Sequence, residues 1–401
     1  MTTTPNASKL NSTLVWIMAV ACGAAVANIY YAQPLLDTLS SVFNTSTATT
    51  GLIVTATQIG YAMGLLLLVP LGDLLNRRKL IVTIMLGTAL AQLFAAQSEN
   101  IGFFLSTSLI IGLTSVAAQI LVPFAATLAQ DHNRGTVVGR VMSGLLLGIL
   151  LARTVSGFVA DAAGWQTVFR VAGGLMVLQA AILWRMLPDP PTTSRLSYIE
   201  LLRSLWPLLR DEPVLRRRCV YGTLMFTTFS ALWTTLPFLL GHAPYRYSDT
   251  AIGSFGLIGA CGALSASIAG KLSDRGWSRM TTGISMVLVF LSFWLMDSAG
   301  EKLAAIIIGV AVMDLGIQSI QILNQTEIYR IRPEARSRIT TVYLSIFFIG
   351  GAVSSSLSAA LYQAYGWHGV CRLCMGLAAT ALLFWASEWR QPARISAEAG
   401  R

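Results

Sequence analysis

The chain has 401 residues, 54% of them hydrophobic and only 11% charged, with a mean hydropathy of +0.64. A soluble domain averages about 25% charged residues, so the composition excludes a water-solvated globule and points to an integral membrane protein. The net charge of +10 has to be read by position before it says anything about nucleic acid.

A spanning helix needs about 20 mostly apolar residues. In chain order, the apolar runs predict spans at Leu14–Leu36, Thr49–Leu71, Leu80–Ala96, Ile101–Leu128, Val137–Ala160 and Trp165–Leu187. After a polar stretch come Cys219–Gly241, Ala251–Leu272, Thr281–Met296, Leu303–Thr326, Ile339–Leu361 and Trp367–Glu388. The expectation is an all-α membrane protein of twelve transmembrane helices: a six-helix bundle over 1–187, a cytoplasmic linker over 188–218, a second six-helix bundle over 219–390, and a cytoplasmic tail over 391–401. Lys9, the run from Leu14 and Ala25-Val26-Ala27 resemble a signal peptide, but the apolar stretch continues to Leu36, so the first span is expected to remain uncleaved.

The linker opens with Pro188-Asp189-Pro190-Pro191. Leu196, Ile199, Leu202, Leu205 and Leu209 then recur at helical spacing. They predict an amphipathic helix on the membrane surface, with Arg203, Arg210 and Arg216–Arg218 toward acidic headgroups; a solvated linker is the alternative. With these spans, 23 of the 28 Lys and Arg fall on the side that holds both termini. Basic loops stay cytoplasmic, which places both termini and the linker inside, at the cell (inner) membrane. That asymmetry explains the charge and leaves nucleic-acid binding without support.

Cys371 and Cys374 form a C-x-x-C, but no second Cys or His pair stands at ligand spacing. They read as helix-packing residues, and no metal or cofactor is expected. The sequence also lacks a Walker loop, H-E-x-x-H and G-x-S-x-G, so an enzyme is not expected.

The chain repeats itself. Gly164-Trp165 recurs as Gly366-Trp367, each with a Val (Val168, Val370) and an Arg (Arg170, Arg372) at matching positions. At the same offset of 202 residues Gln119 matches Gln321, Arg134 matches Arg336 and Gly148 matches Gly350; Pro34 matches Pro237 and Asp73 matches Asp274 within one residue of it. Two bundles in the same orientation, related by a pseudo-twofold axis along the membrane normal, are expected, with a site between them near the midplane.

Val69-Pro70-Leu71-Gly72-Asp73-Leu74-Leu75-Asn76-Arg77-Arg78 resembles the loop signature G-x-L-x-D-R-x-G-R-R/K of the Major Facilitator Superfamily. Leu71, Asp73, Arg77 and Arg78 match, Val69 and Leu74 depart, and Asn76 replaces the last glycine, a residue that tolerates the left-handed conformation. Gly270-Lys271-Leu272-Ser273-Asp274-Arg275 is a second copy. The resemblance implies a cytoplasmic gate that locks the outward-facing state. In it Asp73 would face the N-terminus of the eleventh span, and Arg77 and Arg78 would engage acids such as Asp131 or Glu327; Asp274 and Arg275 would be the counterparts. Topology alone would account for the basic residues but not for Asp73. The fifth span, Gly144-Leu-Leu-Leu-Gly148, is also similar to the drug–proton antiporter branch. It keeps the small-xxx-small face but has Ile149 where that branch has Pro and Leu151-Ala152 where it has Gly-Gly; Ser108 stands where many members carry Arg.

An ionisable residue inside a span is costly and therefore a functional candidate. Asp314 lies ~16 Å and Arg153 ~10 Å from the outer ends of their spans at 1.5 Å per residue, and Asp37 sits at the outer end of the first. Asp314 could take up a coupling proton or contact a cationic substrate, or it could pair permanently with Arg153. Asn28, Tyr31, Gln33, Gln58, Gln119, Gln318, Gln321 and Asn324 are candidate cavity residues, with interhelical hydrogen bonding as the alternative. Phe226, Phe229 and Trp233 share one helix face, as cavity wall or as packing. These residues suggest an amphipathic pocket for a small solute. The expected function is monomeric secondary transport by alternating access, proton-coupled efflux of small organic molecules. Uptake or facilitated diffusion of a sugar, nucleoside or organic acid is one alternative, and a transport-inactive sensor or lipid-handling protein another.

Overall fold

The computed structural model describes residues 11–130, 132–189, 197–300, 302–332 and 335–389, and among these it is helical with no strand. The N-terminal set comprises α1 (Ser12–Ala27), α2 (Leu36–Val42), α3 (Thr47–Leu67), α4 (Leu71–Leu74), α5 (Arg77–Ala95), α6 (Ile101–Thr114), α7 (Ala117–Leu128), α8 (Arg134–Ala163) and α9 (Trp165–Met186). Two short helices follow, α10 (Tyr198–Arg203) and α11 (Leu205–Asp211). The C-terminal set comprises α12 (Pro213–Gly241), α13 (Asp249–Ser254), α14 (Ala260–Asp274), α15 (Ser278–Ser298), α16 (Leu303–Ile331) and α17 (Arg336–Trp389). Nine helices among the described residues are long and apolar enough to cross a membrane. In lipid every backbone polar group must be paired within the segment, which is why such apolar runs become helices.

Breaks in the helices follow from local chemistry. The first predicted span ends as a helix at Ala27; Pro34, which has no N–H to donate, lies in a short 3-10 turn, Gln33–Leu35, before α2. Pro237 leaves α12 unbroken. α17 runs 54 residues only because two helices adjoin at Gly366, whose φ of 64° and ψ of −158° interrupt them. Its repeat partner Gly164, at φ 86°, separates α8 from α9 in the same way. Both positions use the left-handed region that glycine enters without a Cβ penalty. Helix starts are capped by polar side chains: Ser46 accepts from Thr49 N–H and Asn100 from Phe103 N–H. Asn76 also proves to be such a cap, accepting from Lys79 N–H at 3.0 Å; with φ −57° it does not occupy the left-handed conformation expected of it.

The small-xxx-small face of α8 works as expected. A Cβ on Gly144 would lie 2.2 Å from the Ala19 carbonyl oxygen, and one on Gly148 2.2 Å from that of Gly23. Backbones of α1 and α8 touch there because both carry glycine.

The linker corrects one expectation. Instead of one helix there are two, divided at Ser204, whose hydroxyl donates to the Leu201 carbonyl. The buried side chains are Leu201, Leu205 and Leu208, whereas Ile199 is 60% exposed; Leu196 lies outside the described residues. The break at Ser204 resets the helical register, so a stripe read across it does not stay on one face. Ser197 forms a capping box with Glu200, and the Tyr198 hydroxyl donates to the Leu67 carbonyl, which ties the linker to the end of α3.

Candidate substrate site

The N-terminal and C-terminal sets meet along α3 with α17 and along α8 with α13 and the 3-10 stretch Phe255–Gly259. Thr55 and Ser355 hydroxyls lie 2.7 Å apart, the Gln58 amide donates to Ser230 Oγ at 3.0 Å, and the Tyr61 and Phe348 rings approach to 4.5 Å. Ser230 also donates to the Gly351 carbonyl, so Gln58 is held at a three-way junction.

At one end this seam is closed by carboxylates. Asp161, at the end of α8, accepts from the backbone N–H groups of Asp249 and Thr250 at 3.2 and 2.9 Å. It thereby caps α13 from the opposite set, where the helix terminus favours a negative charge. Asp249 accepts from the Thr38 hydroxyl at 2.9 Å on each oxygen. Burial, joined by the charges of Asp161 and Asp37 and opposed by the Thr38 bond, raises the Asp249 carboxyl to about 6. Burial works the same way on Asp161, but hydrogen bonds from Thr250 and Ser248 and from two backbone N–H groups outweigh it and hold that carboxyl below the usual range. Asp37 belongs to this cluster: it lies 3.3 Å from His242 Nδ1, and burial pushes its carboxyl upward against the pull of that ring.

At the opposite end the loop residues bond within their own set and to the start of the linker. Arg77 pairs with Asp73 at 3.3 Å, donates to the Gly72 carbonyl and reaches Thr127. Arg78 donates to the Leu187 carbonyl, pairs with Asp189 at 3.6 Å and stacks on Trp184. Glu327 pairs with Arg330 at 3.8 Å. Asp131, expected as a gate acid, lies outside the described residues. Asp274 and Arg275 are exposed at the end of α14.

Between the two ends, Arg153 of α8 and Asp314 of α16 are each only 3% exposed. The Arg153 Nε donates to Gln33 Oε1 at 2.8 Å. Its guanidinium lies 4.0 Å from the Trp233 ring centroid, 4.7 Å from Tyr30 and 5.5 Å from Phe229, an aromatic cage that suits a planar cation. Asp314 sits across the 3-10 stretch from this cage: a Cβ on Gly259 would fall 3.1 Å from Asp314 Oδ2 and 3.7 Å from Leu150 Cδ1. No ion pair joins the two charges. Arg153 Nη2, Trp233 Nε1 and Asp314 Oδ1 are all buried without a hydrogen-bond partner.

The remaining candidates divide. Gln33, Phe229 and Trp233 converge on Arg153, and Phe226 stacks on Phe347 at 3.9 Å beside the seam. That stripe therefore packs inward and not against lipid. Gln119 donates to the Tyr61 hydroxyl. Gln321 accepts from the Tyr343 hydroxyl, to which Asn324 donates; Arg218 in turn donates to Asn324. Gln318 packs its Cγ where a Cβ on Gly262 would fall. Asn28 donates to the Ala25 carbonyl and the Met176 sulfur and accepts from Gln92, all inside the N-terminal set. The Tyr31 carbonyl accepts from Ser156, while the neighbouring Tyr30 supplies the ring beside Arg153. Sequence reasoning missed Tyr30, Ser230, Tyr343 and the Thr38–Asp161–Asp249 cluster. Only Tyr30 carried a signal, as an aromatic next to a candidate just before a proline.

A polytopic helical protein with buried charges on a seam between two helix sets has the form of a solute transporter. The family model of the Major Facilitator Superfamily matches residues 15–330. The chain is 48% identical over 388 residues, 97% of its length and 98% of the relative's, to "Uncharacterized transporter YgaY" of Escherichia coli O157:H7. It is 31% identical over 382 residues, 94% of its length and 87% of the relative's, to "Probable transporter SCO4007" of Streptomyces coelicolor. Among solved structures, a bacterial homolog to the human lysosomal transporter Spinster, inward-facing and occupied, superposes with a TM-score of 0.76 at 12% identity, covering 94% of this chain and 95% of that one. The chain belongs to the Major Facilitator Superfamily and is a multi-pass membrane transporter of that type.

Proposed function

We propose that this protein is a proton-coupled antiporter of the drug–proton type, exporting small organic molecules by alternating access across the cell inner membrane. The observation that carries the reading is the Arg153–Asp314 site: two buried opposite charges on the seam, out of contact, each with an unpartnered polar atom. A carboxylate so placed can be occupied in turn by a proton and by a substrate, which is what antiport requires.

In this proposal the chain has twelve spans in two six-helix bundles related by a pseudo-twofold axis, 1–187 and 219–390, with both termini cytoplasmic and a monomer as the working unit. Helix pairing supports it. α1 packs on α8, α3 on α6 and α5 on α9. Correspondingly, α12 packs on the first arm of α17, α14 on α16 and α15 on the second arm of α17. The seam bonds gathered at the Asp161 end, with Asp73, Arg77 and Arg78 bonded within their own set and to the start of the linker, support an inward-facing state. Asp73 would then reach the start of α17 only in the outward-facing state.

The test is substrate-dependent proton flux in vesicles reconstituted with the full chain, screened against a compound library. Antiport predicts that an inward proton gradient drives solute the other way, and that Asp314→Asn abolishes the coupling. Solute movement that continues without proton flux would convert the reading to facilitated diffusion.

A further inference from the structure

The unpartnered atoms at the seam define the chemistry of a ligand that would satisfy them. Arg153 is held by its Nε to Gln33 and by its faces to the aromatic cage, which leaves the Nη2 edge as a directed donor. Trp233, 4.0 Å from that guanidinium, contributes a second unfilled donor at Nε1. Two N–H donors, one of them cationic, suit the oxygens of a carboxylate. Asp314 Oδ1 offers the reverse, an unfilled acceptor on an anion. Arg153 and Asp314 attract each other across the seam without forming an ion pair, so each keeps one buried polar atom with no hydrogen-bond partner, which is costly. A solitary anion would relieve Arg153 and leave Asp314 unpaired; a solitary cation would do the opposite.

Resting on the transporter reading above, we propose that the substrate is a small zwitterion of the α-amino acid class, its carboxylate held by Arg153 Nη2 and Trp233 Nε1 and its ammonium by Asp314. The arrangement is charge-neutral when occupied, and Tyr30 and Phe229 give it apolar walls for an aliphatic or aromatic side chain. Gly259 avoids crowding the Asp314 carboxylate, since a Cβ there would come 3.1 Å from Oδ2.

The experiment is calorimetric titration of the purified full-length protein in detergent with L-leucine and L-phenylalanine. The comparison ligands are the methyl ester of L-phenylalanine, which keeps only the positive charge, and its N-acetyl derivative, which keeps only the negative one. Truncating one side of a buried charge pair costs about 2 kcal/mol or more, roughly thirtyfold in affinity. Each derivative should therefore bind the native protein at least that much more weakly than the zwitterion does. Arg153→Gln should erase the advantage of the zwitterion over the ester, and Asp314→Asn its advantage over the N-acetyl compound. The derivative series uses the native protein, so it decides the matter even if a variant fails to fold. Binding of the N-acetyl compound or the ester as tightly as the zwitterion overturns the proposal, as does no binding of either amino acid at millimolar concentration. If another solute drives proton flux while the amino acids fail to bind, antiport stands and the zwitterion site falls. If the binding pattern appears without proton flux, the site stands and antiport falls.

Discussion

The two ends of the seam use the same chemical group differently. At one end Asp161 reaches across from α8 to cap α13, and Thr38 reaches across from α2 to bond Asp249, so each carboxylate ties one helix set to the other. At the other end Asp73 pairs with Arg77 four residues along its own chain, in an ion pair that is 40% and 25% exposed at its two side chains. A contact that crosses the seam is made or lost when the sets move; a contact within one set is indifferent to that movement. The comparison teaches where the conformational energy of this state resides: in the aspartates at the Asp161 end, not in the conspicuous basic loop.

The harshest way to break that contrast is a cross-link. Oxidising a Thr38→Cys, Asp249→Cys pair should abolish transport by fixing the closed end, and reduction should restore it; undiminished transport in the oxidised protein would refute the clasp. The described native cysteines, Cys22, Cys219, Cys371 and Cys374, are free and buried. Next is Gly157→Leu, because a Cβ there would lie 2.0 Å from the Asp249 carbonyl oxygen. Overpacking costs about 1–3 kcal/mol, enough to shift the equilibrium toward the opened end by roughly fivefold to a hundredfold. Distances between spin labels on α2 and α15 would report it.

Asp161→Asn removes a charge-assisted cap and should shift the same equilibrium by roughly tenfold. The pH response should be somewhat smaller. In the closed state Asp249 titrates near 6, raised from 3.8. The closed state therefore binds more protons between those values: acidification favours closure, and the preference fades as pH rises through about 6. From pH 7 to pH 5 the closed population should gain up to roughly tenfold. Asp249→Asn should flatten the response, although Asp37, His242 and Asp161 face the same cluster. The smallest effect belongs to Asp73→Asn. An exposed pair of this kind contributes about 0.5 kcal/mol or less, and losing the outward-facing contact proposed for Asp73 would only favour the state already closed at the Asp161 end. The label distances should therefore hardly move, while a large change would transfer weight back to the loop.

The nine long apolar helices were legible in the sequence because lipid imposes a strong, local condition: about 20 apolar residues without unpaired charge; the predicted spans Leu14–Leu36 and Ala251–Leu272 are instead broken into shorter helices. For the same reason Arg153 and Asp314 stood out, since an ionisable group amid apolar neighbours announces itself. The clasp did not. Asp161 and Asp249 lie at segment edges, where a wetted carboxylate is ordinary, and nothing local reveals that one caps the helix headed by the other. The linker stripe misled because a register read through Ser204 assumes an unbroken helix.

Composition and the repeat at an offset of 202 residues pointed to a helical membrane protein with two similar parts, and the loop around Asp73 pointed to the family. Tertiary structure alone decided which polar groups meet. Asn28 turns toward Gln92 and Met176 inside its helix set, while Gln33, five residues on, accepts from Arg153 of the same set, whose guanidinium faces Trp233 of the other. Between them the helix gives way to a 3-10 turn around Pro34. Spacing assigns a side chain to a face only while the helix continues; beyond that break, packing against α8 and α12 sets its direction.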